Sequence, residues 1–121
     1  MPKKIVLDLK ADPDLLDITA NEWAKAIERG TKKTQVRNFY DKVLELYDET
    51  KKESFEDVYP FIKMLNSKVA YGVTRKVVSQ EFQNMMKQCI DQIKNDNSGK
   101  DKFETFKLFF EAVLGYFKGR D

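Results

Sequence analysis

Four cations and no carboxylate lie in the stretch IKMLNSKVAYGVTRK, in the middle of the chain. The cations are Lys63, Lys68, Arg75 and Lys76. No acid occurs between Asp57 and Glu81. On a helix, the spacings of three and four residues place Lys68, Tyr71 and Arg75 on one stripe beside the apolar one. Two cations separated by an aromatic suit a sugar-phosphate backbone, because cations meet phosphates and the ring can stack or hydrogen-bond.

A second acid-free window, GTKKTQVRNFY, covers residues 30–40 and holds Lys32, Lys33 and Arg37. Thr34 and Gln35 are predicted at a helix N-terminus, where free amides and the helix dipole favour an anion. The two windows together hold seven of the 22 cations and none of the 20 acids. The charge is therefore segregated, although the net charge is only +2.

Charge pattern alone leaves three interpretations of these windows open. They are a surface for nucleic acid, a solvated helix face whose lysines bury only their stems, or a surface for an acidic protein partner. We expect the first only if both windows fold into one cationic track.

Residues that commonly carry catalysis or bind metal are scarce. The chain has no histidine and one cysteine, Cys89, and it has no glycine-rich phosphate loop and no calcium-loop spacing. Cys89 shares a helical stripe with Phe82, Met86 and Ile93, which is typical of a small buried hydrophobe. We therefore predict a protein that is not an enzyme and needs no cofactor or metal. A hydrolase with a carboxylate pair and a metal is a rival hypothesis.

Length and composition predict one globular domain over residues 1–121, with 41% hydrophobic and 35% charged residues. Residues 1–30 are expected to form an N-terminal arm and first helix, and residues 31–121 a helical core. Neither a signal-peptide core nor a membrane span is evident, so a cytoplasmic protein is the expectation.

Helical periodicity dominates and predicts an all-α, compact bundle of four to five helices. The first helix is expected over residues 12–29, with a capping box of Thr19 and Glu22 and a stop at Gly30. The second should begin near Thr34. The segment IVLDL near the N-terminus is read as a short strand or an extended arm.

Caps predict the three remaining helices. Ser54 or Asp57 should cap the third, which should break near residues 74–78; Ser79 should cap the fourth. A capping box of Asp101 with Glu104 predicts the start of the last helix, after the loop KNDNSGKD.

The last helix is apolar on more than one side. Its stripe holds Phe103, Phe106, Phe110, Val113 and Phe117, while Phe109, Ala112 and Tyr116 lie off it. Such a helix is either central to the bundle or shared with another subunit. We predict a protein interface through Phe109, Tyr116 and Phe117, and hypothesise a homodimer of the isolated chain through this helix.

Three segments occur in an order that resembles a known family: TQVRNFYDKV, IKMLNSKVAYGVTRK and FEAVLGYFKGRD. The chain resembles the small subunit of the type III-A CRISPR effector, the Csm complex, over about residues 31 to 121. The most specific residues are Thr34, Gln35 and Arg37 at one helix start, and Glu111, Ala112, Tyr116, Phe117 and Lys118 near the end.

The resemblance implies a helical bundle without nuclease activity, of which several copies line an RNA-guided antiviral defence complex. Other Csm-complex subunits, guide RNA and neighbouring copies are the implied partners, and target RNA is held by its backbone. The residues that carry this role by motif are Arg37, Lys63, Lys68 and Arg75, with Lys32, Lys33 and Lys76 in the same windows. Whether guide RNA is touched as well as target is left open.

Two positions depart from the family. Thr74 stands where relatives often have a glycine, which makes the backbone path to Arg75 an open question, and Gly115 replaces a small alanine. The alternative function is a helical protein–protein interaction or assembly module with no direct nucleic-acid role.

Overall fold

The computed structural model describes residues 2–121 and shows an all-α bundle, as predicted. A π-helical turn, Leu15–Thr19, precedes five α-helices: α1 Ala20–Glu28, α2 Lys33–Glu49, α3 Phe55–Thr74, α4 Gln80–Asp91 and α5 Gly99–Tyr116. No β-strand occurs within these residues. None of the described helices is long and apolar enough to cross a membrane.

Helix α5 is the central element of the bundle and packs against α1 and α2. Its side chains Phe103, Phe106, Phe109 and Phe110 are fully buried. The rings of Phe103, Phe106 and Phe110 contact one another in a tilted arrangement along the helix. Of the two interpretations of its apolar surface, the central position is therefore correct.

The predicted protein interface on α5 needs correction for this reason. Phe109 has no exposed surface and Phe117 is buried at 7% exposure, so neither side chain is available to another subunit in this fold. Tyr116 is half-buried, and its hydroxyl donates a hydrogen bond to Asp17. Both phenylalanines are core residues.

The first helix does not begin with the predicted capping box. Thr19 has helical dihedral angles and makes no cap; its hydroxyl instead donates to Asp12 Oδ2 at 2.8 Å. Lys3 Nζ lies 3.2 Å from the same carboxylate. Burial acts to raise the pKa of Asp12, but the Thr19 hydroxyl, the Lys3 ammonium and the Asp14 amide together outweigh it, so that this pKa is lowered. The predicted stop at Gly30 is confirmed, with a left-handed φ of 85°.

The segment IVLDL is an extended arm and not a strand. Two glutamine side chains of the α4 region take the place of a neighbouring strand: Gln88 Oε1 accepts from the Ile5 amide and Gln92 Oε1 from the Leu7 amide, both at 2.9 Å. Gln92 also donates to the Ile5 carbonyl oxygen at 2.8 Å. Backbone groups of Ile5 and Leu7 are thus satisfied without a sheet.

Two of the three predicted caps are confirmed. Ser54 accepts from the Asp57 amide and Ser79 from the Phe82 amide. The capping box of Asp101 and Glu104 is wrong, because α5 begins at Gly99 and Asp101 already lies inside its first turn. A side chain at Gly99 would meet the Lys94 carbonyl oxygen and the Phe55 ring, so close packing places the helix start there.

Helix α3 ends in a Schellman motif, within the predicted break. The Val77 amide donates to the Gly72 carbonyl at 3.0 Å and the Lys76 amide to Val73 at 2.9 Å. Lys76 occupies the left-handed position with a φ of 62°. Thr74 is the last helical residue, so the backbone needs no glycine there to reach Arg75.

The turn after α3 is tied to the start of α2. The Lys32 amide donates to the Val77 carbonyl at 3.0 Å, and the Ser79 amide donates to Thr31 Oγ1 at 2.9 Å. Gly72 lies so close to Val78 that an added Cβ would come within 3.0 Å of it. These contacts bring the last turn of α3 alongside the first turns of α2.

The left-handed residue generates a stability prediction. Replacing Lys76→Gly relieves the cost of a side chain in this conformation and is expected to raise the free energy of unfolding by about 0.5–1 kcal/mol. Urea unfolding measures it. Lys76→Ala is the control, because it removes the charge but keeps the strain. A glycine variant no more stable than the alanine variant would contradict the assignment.

Candidate nucleic-acid interface

Side chains of α2 and α3 line a groove with a volume of about 240 Å³. From α2 come Gln35, Asn38 and Lys42, and from α3 come Lys68, Tyr71 and Arg75. The spacings of three and four residues within each set place its members on one helix face. The two faces meet because the end of α3 is tied to the start of α2.

The inner wall of the groove is apolar. Phe39 lines it from α2 and packs on Phe82 of α4, with 5.5 Å between the ring centroids. Gly72 lines it from α3, and its missing side chain lets the turn after α3 pack closely. The polar groups of the groove therefore stand on a rigid, packed base.

The groove is electropositive. Lys68 and Arg75 form no ion pair with any carboxylate in residues 2–121. Lys42 Nζ lies 3.5 Å from Glu45 Oε1, but both side chains are exposed and water screens such a pair. The Arg75 guanidinium lies over the Tyr71 ring at 5.4 Å, and Tyr71 is 64% exposed.

These groups can bind a polyanion. Arg75 and Lys68 offer charged donors for phosphate oxygens, and the side-chain amides of Gln35 and Asn38 add neutral donors and acceptors. Tyr71 presents an open ring face on which a base can stack.

Arg37 and Lys63 do not line the groove. With 3.6 residues per turn, Arg37 lies about 200° around α2 from Gln35, and Lys63 about 140° around α3 from Lys68. Both are therefore directed away from the groove. The structure therefore brings Lys68 and Arg75 into the groove but not Arg37, because the acid-free windows span more than one helix face.

The start of α2 already holds an anion of the chain itself. Asp121 Oδ1 accepts from the Thr34 amide at 2.8 Å and also from the Thr34 hydroxyl. These two hydrogen bonds lower the pKa of Asp121, and the nearby charges of Lys33 and Lys32 lower it further. The anion site predicted at this helix N-terminus thus receives an intramolecular carboxylate.

Sequence analysis missed Lys42 and Asn38. Lys42 lies outside the acid-free windows, next to Asp41 and near Glu45, so a search for acid-free segments passes over it. The signal that finds it is the spacing of Gln35, Asn38 and Lys42, which repeats the i, i+3, i+7 pattern of a single helix face.

The lone cysteine takes no part in the groove. Cys89 is fully buried in the core, and burial raises the pKa of its thiol well above its usual range. The prediction of a buried hydrophobe is confirmed. Over residues 2–121, no group of three or more His, Cys, Asp or Glu side chains could hold a metal ion.

One comparison identifies a related group of proteins. A family model described as Csm2 Type III-A matches residues 10–120. The match begins about twenty residues before the region on which the sequence resemblance rests, so it also takes in α1. No curated protein and no solved structure matches the chain.

The Asp121 contact predicts a specific titration. Because the pKa of Asp121 in the folded chain lies below its ordinary value of 3.8, the contact is fully present above that value and is lost as pH falls through the lowered pKa. The Thr34 amide resonance should therefore shift with a midpoint below 3.8. Asp121→Asn should abolish this shift. A Thr34 amide that is insensitive to pH, or a midpoint at or above the ordinary value, would contradict the contact.

Proposed function

The chain belongs to the Csm2 Type III-A family, the small subunit of the type III-A CRISPR effector, and from this premise we propose that it holds target RNA by the phosphate backbone in the groove between α2 and α3. It does so without catalysis and without reading bases, since the guide supplies sequence recognition by pairing. Guide RNA, other Csm-complex subunits and neighbouring copies are its partners within a cytoplasmic ribonucleoprotein.

The observation that carries the proposal is the set Lys68, Tyr71 and Arg75 facing the amides of α2. Two cations without an internal carboxylate partner flank an exposed aromatic ring, in a groove open to solvent. The separation of Lys68 from Arg75 is about two helical turns, or roughly 10 Å, which places them on different phosphates of a strand. A single small anion would leave one of them unused.

The proposal changes the set of residues that we expect to bind RNA. Lys68 and Arg75 remain, and Lys42, Gln35 and Asn38 join them. Lys76 follows Arg75 directly and is exposed, and it stays a candidate contact although it does not line the groove. Lys32, Lys33, Arg37 and Lys63 become secondary, because they lie on other faces or beside Asp121.

Binding by one copy should be weak and salt-dependent. Three phosphate contacts, from Lys42, Lys68 and Arg75, predict a slope of about −2 for log affinity against log salt on single-stranded RNA, at about −0.7 per phosphate. Several aligned copies in the effector would bind tightly, because each further contact is then intramolecular.

A second candidate function is an assembly module without a direct nucleic-acid role. The observation that favours it is the exposure of Phe61 and Met64, which lie on the same face of α3 as Lys68. RNA affinity separates the two functions, because substitutions of the cations change it only under the first.

The proposal predicts that Lys68→Ala together with Arg75→Ala reduces the affinity of the assembled effector for target RNA at least about tenfold. The slope of log affinity against log salt should become shallower by about 1.4 per copy, because two phosphate contacts are removed. Filter binding of labelled RNA over a range of salt concentrations measures both.

The matched control is Arg37→Ala together with Lys63→Ala. It removes one arginine and one lysine, as the test variant does, but outside the groove. If the control variant lowered the affinity as much as the test variant, only total charge would matter. The proposal that RNA binds in the groove would then be wrong.

Stacking on Tyr71 generates a separate prediction. Tyr71→Ala should cost about 1–3 kcal/mol of binding free energy per contacted base, while Tyr71→Phe should retain the affinity, because the ring alone stacks and supports Arg75. If Tyr71→Phe weakened RNA binding as much as Tyr71→Ala, the Tyr71 hydroxyl would be the group that contacts RNA. The prediction of base stacking on the ring would then be wrong.

A further inference from the structure

The α2 wall of the groove carries two side-chain amides, Gln35 and Asn38. They lie about one helical turn apart on the same face, roughly 4.5 Å along the helix axis. The cations Lys68 and Arg75 stand on the α3 wall. Charged groups thus mark the α3 wall, while the α2 wall begins with neutral hydrogen-bonding groups and carries its cation, Lys42, one turn farther along.

The side-chain amide of Gln35 is not used by the fold. Of the five glutamines in the chain, the other four all form side-chain hydrogen bonds within residues 2–121. Gln35 is the third residue of α2, the position from which a glutamine commonly accepts from the amide that precedes the helix. That amide, of Lys32, instead donates to the Val77 carbonyl at 3.0 Å. The half-buried Gln35 amide therefore stays available in the groove.

Packing holds this face of α2 in place. Val36, which follows Gln35, is fully buried, and Phe39 packs on the Phe82 ring with 5.5 Å between the ring centroids. The backbone positions of Gln35 and Asn38 are therefore fixed relative to α3 before a ligand binds. Such preorganisation lowers the entropic cost of binding.

The groups that hold a nucleic-acid backbone do not distinguish RNA from DNA. Phosphate oxygens are the same in both polymers, so the cations of the groove bind either one, and every base has a face that can stack on Tyr71. The sugars differ at the ribose 2′-hydroxyl, which both donates and accepts hydrogen bonds. A carboxamide also offers both functions, whereas ammonium and guanidinium groups only donate.

We propose that Gln35 and Asn38 form hydrogen bonds with the ribose 2′-hydroxyl groups of a strand held in the groove, and that they give this subunit a preference for RNA over DNA. This inference rests on the proposed function. The cations of α3 would hold the phosphate edge of the strand, which turns its sugars toward α2. Gln35 and Asn38 are thus specificity-determining residues, and neither contributes to the charge-dependent part of binding.

The preference expected from one copy is modest. Asn38 is exposed and Gln35 is half-buried, so water can in part replace a missing hydroxyl. At the net value of one protein hydrogen bond, each contact accounts for about a two- to tenfold difference in affinity. Several aligned copies multiply the preference, because each copy meets its own nucleotides.

Affinities for two single-stranded probes of about 20 nucleotides test the inference, since both exceed the site size of one small binding domain. One is RNA of mixed sequence, and the other is DNA of the same sequence with deoxyuridine in place of uridine, so that the bases are identical. Fluorescence anisotropy with the full chain measures both. Gln35→Met together with Asn38→Leu keeps the size of both side chains but removes the amides. This variant should lose about fivefold or more in RNA affinity, while its DNA affinity stays within about twofold.

The slope of log affinity against log salt should not change in this variant, because no phosphate contact is lost. Gln83→Met together with Asn84→Leu is the matched control. It makes the same two substitutions in a half-buried glutamine and an exposed asparagine of α4 that do not line the groove, and it should leave both affinities unchanged. Equal affinity of the unchanged protein for RNA and DNA, or equal loss of both affinities in the test variant, would overturn the inference. Loss of the RNA preference in Tyr71→Phe would also overturn it, by assigning the 2′-hydroxyl to the Tyr71 hydroxyl.

The variant with both Lys68→Ala and Arg75→Ala separates this inference from the proposed function. It should lower the affinities for RNA and DNA by the same factor and leave their ratio unchanged, because phosphates are common to both. If it changes neither affinity, or if the unchanged chain binds neither probe at millimolar concentration, the proposed function is wrong. If it lowers both affinities while their ratio does not respond to the loss of the amides, the proposed function stands and only the role of Gln35 and Asn38 is wrong.

Discussion

The site depends on one junction, where the turn after α3 is fastened to the residues before α2. Hydrogen bonds from Lys32 to Val77 and from Ser79 to Thr31 close it, and the bare backbone of Gly72 lets Val78 pack against α3. Without this junction, the end of α3 that carries Arg75 would not be held next to α2. With it, the last two turns of α3 and the first turns of α2 form the two walls of one groove.

The core limits which side chains are available for binding. The phenylalanine side chains of α5 are buried in the core, and Cys89 is buried there as well. The groups available for binding at the surface are therefore charged side chains, amides and exposed rings, and those of α2 and α3 meet in one groove. Such a surface suits recognition of a repeating backbone, where shape and charge matter more than the identity of any base.

Local signals predicted local structure well, and tertiary packing decided the rest. Ser54 and Ser79 cap helices as their sequence context indicates, because a cap needs only its own first turn. Asp101 failed as a cap because the packing of Gly99 against distant residues set the helix start. Lys68 and Arg75 could be selected from charge and spacing. Lys42 could not be selected in this way, and Arg37 lies outside the groove, since the orientation of α2 toward α3 depends on tertiary packing and not on either segment alone.

The central claim is that RNA lies in the groove between α2 and α3. Photo-crosslinking of the assembled effector to a labelled target RNA, followed by mapping of the modified peptides, tests it most directly. RNA bound in the groove should give crosslinks at Tyr71 and in the segment from Asn38 to Lys42. Crosslinks confined to the opposite faces, around Arg37 or Lys63, with none at Tyr71, would contradict it.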